Sequence, residues 1–250
     1  MFQEQGMGEY FAFDYTGKPF AFFGAAHIGA LLAIALLNVF LLRYRNKPAA
    51  VRRNVCLAMT ILLLLDESAW HVWNIYHGTW NIQEHLPLHA CSLLIWLTGI
   101  MLLNKNYRIY EFAYFLGIGG AIQALLTPDI GIYGFPHFRF VQTFISHGLL
   151  LTAAVYMTTV EGFRPTLRSL LRVIISLNIY MAVIFVVNQL IGSNYLFVAH
   201  KPPGPTLLDV LPQWPWYILA IEAIGLVVFL TLYVPFAIKD WQTKRRATAV

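Results

Sequence analysis

Charge is what this 250-residue sequence has least of: Asp, Glu, Lys and Arg make up 12% of it, against about 25% in an ordinary soluble domain. So little charge cannot keep a folded surface in water, and a hydrophobic content of 58% points instead to a surface solvated by lipid. Cysteine is nearly missing too. Cys56 and Cys91 are the only two, which excludes a disulfide framework and any CxxC pair for metal or redox chemistry. There is no HExxH helix, no phosphate loop and no dinucleotide fingerprint, so no cofactor is expected. A zinc site assembled from His71, His89, His147 and Asp66 has none of the usual ligand spacings. The net charge of +5 is spread over connections and forms no folded basic patch of the kind a nucleic-acid partner needs. Nor is there a repeat or a long linker to mark a second domain.

What the chain has is apolar runs and aromatics, with 18 Phe, 13 Tyr and 7 Trp. Seven runs stand near 20–42, 54–74, 86–103, 109–127, 138–160, 172–191 and 214–236. Each approaches the roughly 20 residues that a helix needs to cross a hydrocarbon core of about 30 Å. They lack the period-two alternation of barrel strands. The expected fold is therefore all-α: one polytopic membrane bundle of seven transmembrane helices. Taking alternate connections as one side of the membrane, 14 of the 17 basic residues fall there, leaving Lys18, Arg139 and Lys201 on the other. By the positive-inside rule the amino terminus is outside and the carboxyl terminus cytoplasmic, in a cell membrane. Acidic Glu4, Glu9 and Asp14 precede the first run, unlike the basic start of a signal peptide. Four prolines in the connection 192–213 (Pro202, Pro203, Pro205 and Pro212) and the adjoining Pro215 predict a bent cap, with Trp214, Trp216 and Tyr217 forming an aromatic belt behind it.

Polar groups inside lipid are expensive, so they mark the candidate site. The second run carries Asp66 and Glu67, with His71 one helical turn after Glu67. Such a cluster either ties helices together or lines a cavity. The third run opens HLPLHACS at residues 85–92. Pro87 suits a first helical turn, and His85 and His89 share a face if the helix starts early. Cys91 is either a small apolar packing residue or a nucleophile served by a base from another helix. In the fifth run Arg139, Thr143 and His147 follow at intervals of four beside Gln142 and Ser146, a polar stripe that starts from His137 at the boundary. Arg139 either snorkels to headgroups or holds a lipid phosphate or substrate carboxylate. Further interior polar groups are expected at Gln123, Thr127, Asn178, Asn188, Gln189 and Glu222. GIGG at 117–120 reads as close helix packing.

The strings LPLHACS, QALLTPDIGIYGFPHFRFVQTFISHG and NYLFVAHKPPGPTLLDVLPQWPWYIL, in that order, resemble the bacterial YwaF-type integral membrane family over nearly the whole chain. More distantly the sequence resembles the eukaryotic transmembrane acyltransferases of ether-phospholipid remodelling and the androgen-induced-gene type lipid hydrolases. In the acyltransferases a cysteine just after a histidine on one helix works with a histidine on a later helix. That resemblance implies Cys91 as nucleophile beside His89, with His147 rather than His137 as the catalytic partner. The hydrolases pair a threonine with a histidine, and that threonine has no assigned position here. The leading expectation is a lipid acyltransferase or hydrolase that acts on membrane phospholipids or fatty acyl groups. Asp66, Glu67, His71, His89, Arg139, Gln142, Thr143 and His137 would then line the cavity or orient the substrate. The alternatives are a small-molecule or ion transporter, which would use the same carboxylates as a relay, and a noncatalytic binding or structural membrane protein.

Overall fold

A backbone in lipid has no water to bond, so its amides and carbonyls must pair within each segment. Helix accordingly accounts for nearly all regular structure in the computed structural model, which describes residues 4–202 and 207–248. Nine α-helices lie among these residues: α1 (Glu4–Phe11), α2 (Ala25–Leu41), α3 (Ala49–Tyr76), α4 (Ala90–Asn104), α5 (Tyr107–Phe112), α6 (Ile118–Leu126), α7 (Phe138–Thr159), α8 (Leu167–Ile191) and α9 (Trp216–Thr248). A five-residue π turn, Ala113–Gly117, joins α5 to α6 in one continuous rod. Among the described residues, six helical segments are long and apolar enough to cross a membrane.

The run expected at 86–103 is the exception. Its helix starts only at Ala90 and has 15 residues, about 22 Å at 1.5 Å per residue, short of a hydrocarbon core of about 30 Å. Residues 82–89 are turns and bends. Pro87 has no amide hydrogen and pushes Leu86 away from helical geometry, and the Leu86 amide is taken by the Tyr195 hydroxyl at 2.9 Å. Pro87 therefore lies outside the helix rather than in its first turn, and His85 and His89 share no helical face.

The chain forms two compact units: Met1–Trp80 with Cys91–Phe163, and Asn81–Ala90 with Arg164–Val250. In the first, α7 is the axis, with Leu150, Ala153, Ala154, Tyr156 and Met157 all buried. Small residues let other helices approach it. A Cβ added at Gly148 would stand 2.9 Å from Ile34. The polar residues of α2 are satisfied across the packing: Asn38 Nδ2 donates to Thr152 Oγ1 at 3.0 Å, and His27 Nε2–H donates to the Leu125 carbonyl at 2.8 Å.

In the second unit, α8 opens on a capping box between Thr166 and Ser169 and closes on Gly192 in the left-handed region, φ 66. Asn188 is buried and organises the turn after α8. Its Nδ2 donates to the Tyr195 carbonyl at 2.9 Å, and its Oδ1 accepts from Ser193 and the Tyr195 amide. Of the proline-rich cap, Pro203 and Pro205 lie outside the described residues. Trp214 and Trp216 are exposed, as a belt requires, whereas Tyr217 is wholly buried and donates its hydroxyl to the Phe197 carbonyl. Gln123, Thr127, Asn178 and Gln189, expected inside, are exposed. Thr127 Oγ1 and Asn178 Nδ2 bond back to the carbonyls of Gln123 and Ile174 in their own helices. A polar side chain satisfied one turn back does not need the interior.

Two glycines give a stability contrast. A Cβ at Gly134 would lie 2.2 Å from the Lys18 carbonyl oxygen, whereas one at Gly29 on α2 would meet nothing within 4 Å. Gly134→Ala should lower the thermal unfolding midpoint in detergent, with a cost of about 1–3 kcal/mol for forced overpacking. Gly29→Ala should be neutral or raise it by up to about 1 kcal/mol, because alanine restricts the unfolded chain. Equal midpoints for the two variants would contradict the close approach at Gly134.

Candidate functional site

The polar stripe on α7 follows from its spacing of four, and α3 packs against it. Gln142 Nε2 donates to Asp66 Oδ2 at 3.1 Å, and the Gln142 carbonyl oxygen of the side chain accepts from Arg139 Nη1. Gln142 thus relays between a carboxylate and a guanidinium, with its amide orientation set by the two. The guanidinium lies 3.7 Å above the Trp70 ring centroid, and Trp70 stacks on Trp73 at 5.7 Å. Arg139 is therefore tied into the unit rather than turned out to headgroups. On the same helix α3, Glu67 is 3% exposed and its Oε1 stands 3.6 Å from His71 Nε2. His71 Nδ1 accepts from Trp80 Nε1 at 3.0 Å, so its proton sits on Nε2, toward Glu67. The cluster holds two carboxylates, Asp66 and Glu67, to one guanidinium.

Beyond Arg139 the helix end is closed by a strap of the amino-terminal segment. Three successive carbonyls are clasped: Phe11 by Trp73 Nε1 and His77 Nε2, both at 2.8 Å, Ala12 by His137 Nε2 at 3.0 Å, and Phe13 by the Tyr133 hydroxyl at 2.8 Å. His137 is the N-cap of α7, accepting the Arg139 amide on Nδ1 at 3.1 Å, and Tyr133 stacks on its ring at 4.4 Å. Both nitrogens are in use only while the ring is neutral. Burial holds its pKa below the ordinary histidine value, the charges of Arg139 and His77 push the same way, and the Ala12 carbonyl opposes them.

Thr143 and Ser146 are buried on α7. His147 Nδ1 faces the Thr143 carbonyl at 2.9 Å. A carbonyl only accepts, so the neutral ring carries its proton on Nδ1 and presents Nε2 as a bare acceptor. Cys91 is the second residue of α4 and half-buried, with its sulfur 3.7 Å from where a Cβ at Gly120 would lie. Because α4 starts at Ala90, the first-turn amides have no acceptor within the helix. Among the described residues no hydrogen bond joins Cys91 to His147. His89 belongs to the second unit, where its Nδ1 accepts the Leu196 amide at 3.3 Å and its ring packs edge-on against Tyr195. Among the described residues no group of three or more His, Cys, Asp or Glu could hold a metal ion, so His71, His89, His147 and Asp66 are not gathered as ligands.

Trp70, Trp80 and Tyr133 are the members of this region that sequence reasoning passed over. Tryptophan in a membrane helix reads as a belt residue, and only the cation and histidine it meets distinguish it. One signal was present: Trp70 and Trp73 lie three apart on the helix that carries Asp66 and Glu67.

The TMEM164 family matches residues 22–233, a stretch that runs from just before α2 into α9. No curated protein and no solved structure matches this chain.

Two measurements probe the region. An unfolded histidine protonates near pH 6.5, so a depressed folded pKa makes the stability from neutral His137 full above that value and lost as pH falls through it. Lowering the pH from about 7.5 to about 5.5 should cost the wild type more thermal stability than His137→Gln; an equal loss would remove the pH linkage. For Glu67 and His71, a double-mutant cycle with Glu67→Gln and His71→Ala should show a coupling of about 0.5–1 kcal/mol. Strict additivity would mean that the two side chains do not interact.

Proposed function

The chain belongs to the TMEM164 family, whose match covers most of its length, and from that premise we propose that it carries out acyl chemistry on membrane phospholipids through Cys91 and His147. The observation that carries this reading is the state of His147. Its Nδ1–H is committed to the Thr143 carbonyl, which leaves Nε2 unprotonated, the condition for a general base. Helix register supports Cys91 as its partner. A Cβ at Gly117 would stand 4.0 Å from the Leu150 carbonyl, and one at Gly120 would stand 3.7 Å from the Cys91 sulfur. Consecutive spans α6 and α7 run in opposite directions, so moving three residues along each, about 4.5 Å, brings Gly120 level with His147. Catalytic contacts commonly close only when substrate is bound.

In this mechanism His147 Nε2 takes the Cys91 thiol proton and the sulfur attacks the ester carbonyl carbon of a phospholipid. The first-turn amides of α4 are available to the developing oxyanion. Collapse breaks the C–O bond, and the departing lysolipid oxygen takes the proton back from His147, leaving an acyl thioester on Cys91. An acceptor hydroxyl or water then loses its proton to Nε2 and attacks the thioester, giving a new ester or a free fatty acid and restoring the thiol. Asp66, Glu67, His71, Arg139, Gln142, Thr143 and His137 would line and shape the lipid cavity through the contacts they already make within the first unit, rather than grip the headgroup. The same reading keeps the amino terminus outside and the carboxyl terminus in the cytoplasm, on the split of basic residues.

The test is purified protein in vesicles containing phospholipid with a labelled acyl chain. Wild type should yield a hydroxylamine-labile acyl adduct on Cys91 and either a new acylated lipid or free fatty acid. Folded Cys91→Ala should lose adduct and turnover together. His147→Ala should slow both by about a hundredfold or more, the usual worth of a general base, and His137→Ala should do less. Unchanged turnover by folded Cys91→Ala would overturn the nucleophile assignment. Absence of turnover by wild type across diverse lipids would favour the transporter or binding alternatives.

A further inference from the structure

At the other end of the first unit, where α2 gives way to α3, positive charge gathers in excess of its counter-charge. The sequence holds no acidic residue between Asp14 and Asp66, yet carries Arg43, Arg45, Lys47, Arg52 and Arg53 in that interval. The packed carboxylate that reaches this end, Glu161, is shared: Lys105 Nζ stands 3.1 Å from its Oε1 and Arg52 Nε stands 3.7 Å from the same oxygen. One negative charge thus serves two cations. Arg52 Nε is buried with no hydrogen-bond partner.

The local backbone adds to the surplus. α3 begins after Pro48 with no side-chain cap and no acid in its first turn, so its unpaired amides and dipole point positive charge at the same connection. Arg52 and Arg53 follow directly after that first turn and add positive charge to the same end. Arg45, Lys47 and Arg53 are exposed, and Arg43 lies over the Phe40 ring at 3.7 Å. Immediately beside them Val39, Phe40, Leu42 and Val51 are exposed apolar side chains, which in a membrane helix face acyl chains. Cations at the end of an apolar band match the anionic headgroup and the hydrocarbon of a single lipid molecule.

We propose that the connection 43–53 is a binding site for an anionic phospholipid. Its phosphodiester would lie on Arg45, Lys47, Arg53 and the free amides of α3, and its acyl chains would lie against Val39, Phe40 and Val51. A soluble phosphate would find the same cations but none of the apolar contact, and the attraction for an isolated ion would fall off with salt. The site is independent of Cys91 and His147.

The test uses the full chain purified in detergent, with native mass spectrometry to count bound lipid and thermal unfolding to read its effect. Phosphatidylglycerol and phosphatidylcholine with identical acyl chains are added at equal mole fraction, and inorganic phosphate is added separately. Wild type should prefer phosphatidylglycerol by roughly tenfold or more, with a matching rise in unfolding midpoint that inorganic phosphate does not reproduce. The triple variant Arg45→Gln, Lys47→Gln, Arg53→Gln alters only exposed side chains and should lose the preference, with Arg53→Gln alone intermediate. Equal retention of the two lipids by wild type, an undiminished preference in the folded triple variant, or full reproduction by inorganic phosphate would each overturn the proposal. If the triple variant does not fold, Arg53→Gln carries the comparison, and an unchanged preference there overturns it equally.

Discussion

Everything in this protein depends on the absence of water around its helices. A polar group in that setting must find a partner inside the chain, and the first unit can be followed from one such settlement to the next. Asp66 is met by Gln142, Gln142 by Arg139, and Arg139 by the face of Trp70. These contacts join α3 to α7 at the end where the amino-terminal strap is clasped by Trp73, His77, Tyr133 and His137. The same requirement accounts for the polar residues that stay on the surface, since Thr127 and Asn178 find carbonyls one turn back.

The break before α4 decides the setting of Cys91. Had the helix begun near residue 86, Cys91 would have sat inside it with every neighbouring amide already bonded. Starting at Ala90 leaves Cys91 in the first turn, beside amides that have no intrahelical acceptor. It also turns His89 toward Leu196 and Tyr195. The His89 ring is thus engaged by the turn after α8. His147 on α7, by contrast, is held in one tautomer by its own helix.

The two ends of the first unit differ in electrostatic character. Near Arg139, Gln142 joins the guanidinium to Asp66, the Trp70 ring covers it, and Glu67 faces His71. Near Arg52, cations outnumber their carboxylate and a buried guanidinium nitrogen lacks an acceptor. The first arrangement joins its charges to partners within the chain. The second leaves exposed cations beside an exposed apolar band.

The sequence by itself determined the class of fold, because length and hydropathy of a run decide whether a segment can reside in lipid. Six of the expected runs appear as helices long enough to cross. The spacing of four already aligned Arg139, Thr143 and His147, and it aligned Glu67 with His71. What only tertiary structure decided was the partner of each polar group. Gln142 beside Asp66 joins residues 76 apart in sequence, and no periodicity within one helix encodes a contact between two. The start of α4 was likewise beyond local reading. Pro87 is compatible with a first turn or with a break, and the Tyr195 hydroxyl that holds the Leu86 amide comes from 109 residues away. Tyr217 reads as a belt residue beside two tryptophans, and a distant carbonyl at Phe197 draws it inside. Local sequence fixes which groups need a partner; three-dimensional packing decides which one they get, because hydrogen bonds are made by atoms that meet in space.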